Sequence, residues 1–386
     1  MPVVRPTGDA TEAGVGSSAV RAASPRVSFE SGGAFLGEVR SEVDLYLGSR
    51  RIRLRGRLQL YAKSVVALPL LAGSWAVLMF VRPGLLLGLL CLLGCIVGAV
   101  LTGFCVQHDA NHGAYFRSRR LNHLLGWTTD ALLGFSSYAW RVKHNVAHHT
   151  YTNVDGYDDD INQTPFARLM PSQPGRPWYR VQHVYIWPLY SLMLLRWQIG
   201  ADLAALVRGR IANSAVRVPR RWDLVGLIAG KAIFIGWAIV VPLLVYPWWV
   251  VAAGYVGFAM AASLVTATTF QLAHCVEEAA CASPEDLAAT KRLWAVHEVE
   301  STVDFCPRNV VLTWLLGGLN FQIEHHLFPR VPHTHYPRIA EIVRRKAAEH
   351  GVRYTAQASL RAAIGSHQRH LRTLGRLGHP VEIEMG

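Results

Sequence analysis

Charge is scarce in this chain and absent from long parts of it. Only 17% of its 386 residues are Asp, Glu, Lys or Arg, against 51% hydrophobic. Residues 64–81 and 83–107 carry no such charge, Leu224 to Val245 carries only Lys231, and Trp248 to Cys275 carries none. Each run is long enough to cross a hydrocarbon core of roughly 30 Å at about 1.5 Å per residue, which excludes an ordinary soluble globule. The six cysteines (Cys91, Cys95, Cys105, Cys275, Cys281, Cys306) form no Cys-x-x-Cys pair, so a thiolate metal knuckle is excluded and they read as reduced and structural. No continuous apolar core marks a signal sequence in residues 1–35, which read as a flexible tail rich in Ala, Ser, Gly and Val. No internal repeat is visible beyond a pair of hairpins.

The hairpins follow from the turns. Arg82-Pro83-Gly84 joins the first two runs and Tyr246-Pro247 the last two, leaving room only for tight reversals. Of 39 Lys and Arg, only Arg82 lies on these turns and only Lys231 well inside a run. The rest, including the stop Arg51, Arg53, Arg55 and Arg57, fall on the other side, which the positive-inside rule makes cytoplasmic, with both termini. Topology and anionic lipid thus account for the net charge of +13 without nucleic acid. The expected fold is an all-α integral membrane protein: four transmembrane helices in two hairpins under a helical cytoplasmic cap. Its spans run over about 62–81, 85–106, 224–245 and 248–273. Residues 1–58 are expected as a flexible basic tail and juxtamembrane segment, 59–350 as the membrane domain and 351–386 as a cytoplasmic tail.

What the chain has in quantity is histidine, seventeen in all, clustered where the runs meet the cytoplasm. In "FCVQHDANHGAY", His108 and His112 are four apart and share one helix face. In "WRVKHNVAHHTYTNVDGYDDDI", His144 and His148 repeat that spacing. On an α-helix His149 points about 100° further round, so one segment feeds two neighbouring metal positions. "TFQLAHC" puts His274 at the same boundary, as a ligand or as a cap to its span. "GLNFQIEHHLFP" adds His325 and His326. One HxxxH is a weak signal, whereas three such clusters on one side of a four-span protein make a metal centre. Eight imidazoles exceed the three or four that one zinc takes and divide naturally between two ions.

Imidazole suits iron, copper, nickel and zinc alike, so donor type leaves the metal open. The setting, at the mouth of apolar helices with no bridging carboxylate pair, suits redox chemistry on a greasy substrate better than hydrolysis. Asp109, Asp158, Asp159, Asp160 and Glu324 are placed to accept from free imidazole N–H groups, or else to cap helices and charge the interface. His123, His183, His297, His333 and His335 lack such spacing and read as ordinary.

The motifs "HDANH", "HNVAHH" and "QIEHH" resemble the three histidine boxes of the membrane fatty-acid desaturase family, over roughly residues 60 to 345. The resemblance implies four spans, two non-haem irons in a cytoplasmic cap, and an apolar tunnel for an acyl chain. It carries the ligand role to His108, His112, His144, His148, His149, His325 and His326, with His274 at a position where the family places a further ligand. Gln322, where spacing would favour a third histidine, resembles the glutamine of the subgroup that includes the front-end desaturases. It is open as a weak ligand, a water binder or a hydrogen-bonding support. Trp140 and Trp187 are candidates for the tunnel entrance, or interfacial anchors.

The implied activity is O2-dependent desaturation of a fatty acyl chain, as acyl-CoA or acyl-lipid. The His-Pro-Gly-Gly haem motif of fused cytochrome domains does not occur, so the electron donor is expected to be separate, a ferredoxin or similar with its reductase. A basic face including Arg117, Arg119, Arg120, Arg344, Arg345 and Lys346 suits such an acidic carrier and lipid headgroups alike. Hydroxylases, ketolases and acetylenases of the same superfamily are the nearest alternative. A non-catalytic metal-binding protein or transporter would need acids or histidines along the spans.

Overall fold

The computed structural model describes residues 27–30, 32–211, 214–217 and 219–377. Four long helices, Arg50–Val81, Leu85–His112, Arg221–Leu243 and Trp248–His274, have mean hydropathies of 1.8 to 2.7 over their most apolar windows, yet only 17–33% of each window is buried. Phe80, Leu85, Leu86 and Trp248 are 74–81% exposed. Apolar surface on this scale is stable only against lipid, so this is a membrane protein. The two hairpins appear as expected, with Arg82 in the left-handed conformation at the first turn. Helix continues past the expected bounds on the charged side: the first starts at Arg50 and the second runs to His112.

The first hairpin closes tightly because residue 98 is glycine. A Cβ there would lie 2.5 Å from the Leu71 backbone nitrogen, so backbones meet as small residues allow within a bilayer. The third span packs against helix Arg119–Leu133. The fourth lies against the second and against a broken helical segment, Met193–Arg196 continued by Trp197–Ala201.

Lys231 does not reach along its span to the interface. Its Nζ donates to the carbonyls of Gly134, Trp197 and Gln198 at 3.1–3.2 Å and pairs with Asp202 at 3.1 Å. Helical dihedrals break at Gly200, and irregular backbone alongside membrane spans persists only where protein satisfies it. Lys231 supplies those bonds.

The cap is built from helices Ala34–Gly48, Trp294–Ser301, Gln322–Leu327 and Tyr336–Glu349 around one apolar cluster that includes Val39, Val43, Val299, Ile323, Ile339 and Val343. Two expected tails are therefore corrected in part. Residues 1–26 lie outside the described residues, but Ala34–Gly48 is a packed helix, held to Tyr336–Glu349 by Lys346–Glu38 and Arg345–Glu42 pairs. Ala356–Gln357 pairs in parallel with Asp304–Phe305, and Leu360–Arg376 is a helix that buries His367 and Leu371. Apolar residues recurring at helical spacing put both segments on the cap.

Breaking a buried pair by removing one partner costs about 3–5 kcal/mol. Lys231→Met should lower stability by that order, and Asp202→Asn added to it should restore part of the loss. Thermal unfolding in detergent reads both, and a wild-type midpoint for Lys231→Met would refute the assignment.

Candidate metal centre

The helices bend where the histidines begin. The second span turns π-helical over Thr102–Gln107 immediately before His108–His112, and the second box is itself π-helical over Arg141–His148. There the His149 N–H bonds to His144 O, five residues back, at 3.0 Å. Such bulges often mark functional sites. This one brings residues five apart into line, so that His149 as well as His148 comes within reach of His144. The Nε2 atoms of His144 and His149 are 3.2 Å apart, and each lies 3.4 and 3.0 Å respectively from His325 Nε2. The third box is brought in by Gly317, in the left-handed region at φ 60, where a Cβ would meet the Phe104 carbonyl oxygen at 2.7 Å. Only glycine fits both the dihedral and the approach.

All eight expected histidines are buried, between 0 and 7% exposed, and the structure brings all of them together. Ligand atoms of His108, His112, His144 and His325 lie within 4.8 Å of one another, and so do those of His148, His274 and His326. His149 stands between, grouped with His325 and His326. Nitrogens about 2.1 Å from one ion sit about 3.0 Å apart at right angles and about 3.4 Å apart in a tetrahedron, so the observed separations match those of ligands around an ion. Seven buried nitrogens of these eight rings lack a hydrogen-bond partner: both of His108, both of His274, and His112 Nε2, His149 Nδ1 and His326 Nε2. Buried polar atoms are seldom left so, and a metal is the partner that one nitrogen of each ring fits, since an imidazole offers an ion a single ligand atom.

Burial, reinforced by neighbouring imidazoles, holds His144, His149, His325 and His326 well below the usual histidine range. They are neutral at pH 7, the state a ligand needs. Burial also opposes charge on His148, but the Asp158 carboxylate outweighs it and raises that group.

The far nitrogens are held. His148 Nδ1 lies 3.0 Å from Asp158 and 3.5 Å from Asp160, His326 Nδ1 2.7 Å from Glu298, and His325 Nδ1 3.3 Å from the Tyr336 hydroxyl. These contacts fix ring orientation and aim Nε2 at the cluster. Thr152 donates to Glu298 at 2.8 Å, and burial pushes the Glu298 carboxyl up to about 8.

Sequence reasoning missed Glu298 and Tyr336, since a lone acid and a lone tyrosine on separate helices carry no spacing signal. Two of the five acids left open between imidazole support and interfacial charge serve other partners. Asp159 reaches Lys143, at 2.9 Å, rather than an imidazole. Glu324 contacts the Tyr354 hydroxyl at 3.2 Å and lies against the Asp304 carboxyl, because it shares a short helix with His325 and His326 but points in another direction. Asp109 lies 3.6 Å from His108 Nδ1, yet its hydrogen bond is to His333, which is not the ordinary residue expected. Gln322 donates to Leu319 O at 2.8 Å, and its amide lies against His274.

A largely apolar cavity opens on the cluster. His108, His144, Trp140, Phe104 and Phe270 line its metal end, and Phe258, Trp197 and Gln198 line it further on. From Phe270 to Phe258 the fourth span advances about 18 Å. Trp140 stacks on His144 with centroids 4.3 Å apart, whereas Trp187 lies away from the cavity lining, against Tyr190 and His367.

The chain is similar to proteins of known activity. A family profile described as fatty acid desaturase matches residues 83–358. The sn-1 linoleoyl-lipid 6-desaturase of Arthrospira platensis is 35% identical over 347 residues, 89% of this chain and 93% of that protein. The enzyme of the same name from Synechocystis is 32% identical over 91% of this chain and 98% of its own length. The acyl-lipid (8-3)-desaturase of Physcomitrium patens is 33% identical over 87% and 71%.

Outer partners of metal ligands typically contribute about 10–100-fold in affinity. Glu298→Ala and Asp158→Asn should each weaken retention of one ion by that factor in a chelator titration of metal-loaded protein. Asp159→Asn, which removes only one of the two carboxylates paired with Lys143, should stay within about twofold of wild type. Equal behaviour of all three would remove the roles given to Glu298 and Asp158.

Proposed function

The chain belongs to the fatty acid desaturase family and desaturates fatty acyl chains; from that premise we propose that its buried imidazoles hold two non-haem irons beside an acyl chain carried on a membrane lipid. One ion takes His108, His112, His144 and His325, the other His148, His274 and His326, with His149 reaching toward both. The observation that carries this reading is the convergence of the His144, His149 and His325 Nε2 atoms at 3.0–3.4 Å beside an apolar cavity. Irons bound there supply the dioxygen and redox chemistry needed to take two hydrogens from an unactivated methylene pair.

The protein supplies position. Phe104, Phe270 and the Trp140 ring wall the acyl chain where it passes the imidazoles and keep bulk water out. Fixing one carbon pair there gives regioselectivity, because correct placement alone is worth orders of magnitude in rate. Lipid-linked substrate accords with the names of the relatives and with the cavity wall of Met193, Leu194 and Trp197, whose neighbours Leu192 and Ile199 are 47 and 79% exposed. Gln322 completes the three-histidine position from beside His274, through its amide or a bound water.

Electrons come from a separate acidic carrier on the cytoplasmic side, where the spans carry their positive charge. Arg345 and Lys346 are already paired with Glu42, Glu38 and Glu349. Arg117, Arg119, Arg120 and Arg344 make no ion pair among the described residues and are exposed. They are left to meet the carrier, in contacts that weaken with salt.

Lipid analysis with double-bond localisation, in cells expressing wild type, His148→Ala or His325→Ala with a ferredoxin and reductase, tests the reading. A new unsaturated lipid acyl chain is expected in the wild type only. A product heavier by one oxygen would replace desaturation by hydroxylation. No product from folded, metal-loaded protein supplied with linoleoyl lipid would remove that substrate.

A further inference from the structure

Outside the imidazole cluster, three buried polar side chains from three separate parts of the chain form one line of contacts. Lys63, 6% exposed within the first span, donates to Trp314 O at 3.0 Å and contacts His333 Nε2 at 2.8 Å. His333, 2% exposed, meets Asp109 Oδ2 through Nδ1 at 2.9 Å. Asp109, 1% exposed, sets its other oxygen 3.6 Å from His108 Nδ1.

Donor and acceptor chemistry fixes the order. An ammonium only donates, so His333 Nε2 accepts and its proton sits on Nδ1, facing Asp109. The Asp109 oxygen beside His108 then favours a proton on His108 Nδ1 and leaves Nε2 as the ligand atom. If the role were packing alone, apolar residues of like volume would serve at least as well as a buried lysine and aspartate. A lysine within a span is retained for its contacts. These contacts end at a metal ligand.

We infer that Lys63 and His333 are positioning residues of the metal centre, orienting His108 through Asp109 and so holding the ion taken by His108, His112, His144 and His325. The inference rests on the metal reading given above. It assigns to that ion a support distinct from the Asp158 and Glu298 contacts on His148 and His326.

The test uses full-length protein in detergent, stripped and reloaded anaerobically with Co(II). Ions per chain, binding affinity and the ligand-field spectrum are read, with thermal unfolding of the metal-free protein as the fold control. Wild type should take up two ions. Lys63→Met and His333→Ala should keep one and bind the other about 10–100-fold more weakly, losing the same spectral component that His108→Ala loses. His333→Asn, whose amide N–H stands in for Nδ1–H toward Asp109, should restore most of the binding. His333→Gln, which offers Lys63 an acceptor but leaves Asp109 without that donor, should not.

Two ions at wild-type affinity and spectrum in both Lys63→Met and His333→Ala would overturn the inference, even with lowered thermal stability. Should either fail to fold, wild-type loading of both His333→Asn and His333→Gln overturns it equally. A wild type that takes up no ion would overturn the metal reading itself and the inference with it, a result distinct from two ions held in every variant.

Discussion

Imidazole nitrogens that face one another across about 3 Å, sealed from water, are the constraint on which the rest of this structure depends. Neutral rings cannot all satisfy each other, since each offers one donor and one acceptor. Several nitrogens here have nothing to bond to. Protonation is no remedy, because burial and the neighbouring rings hold protons off His144, His149, His325 and His326. A cation would resolve the conflict, and the surroundings serve to present lone pairs to it. Asp158, Glu298 and Tyr336 engage far nitrogens so that near ones point inward. The π-turn of the second box delivers His144 and His149 to one point.

The membrane shapes the other half of the design. The second and fourth spans give the cavity low-dielectric walls, and the same two helices end in His108, His112 and His274. A chain lying along the fourth span is thereby delivered to the imidazoles by the geometry of that helix. Two lysines of this region are held by specific contacts. Lys231 with Asp202 secures the broken segment that forms one cavity wall. Lys63 reaches the loop after the third box. The cap locks the arrangement from the histidine-bearing side of the spans through helices from both ends of the described chain, Ala34–Gly48 and Leu360–Arg376.

Much of this was legible without coordinates, for definite reasons. Charge-free runs of span length announce helices whatever their neighbours, since the bilayer sets the length. Tight Pro-containing turns pair them. Box spacing announces a metal because histidine is otherwise rare at such density. Less visible were contacts that owe nothing to spacing, such as Glu298 on His326 or His333 between Lys63 and Asp109. Glu324 shows the converse: it lies beside two ligands in the chain, but its own side of the helix faces Asp304 and Tyr354.

The sequence by itself determined the four spans, the two hairpins, the eight clustered histidines and the family, because local hydrophobicity and local spacing are properties of short segments. The tertiary structure alone decided which histidine nitrogens face one another. That depended on a π-helical register, which shifts the facing pair from four residues apart to five and cannot be distinguished from α in the residue pattern. It alone decided which acids serve the ligands, because a hydrogen bond between residues 28 apart, as from Glu298 to His326, or 224 apart, as from Asp109 to His333, exists only once the cap has folded over the spans.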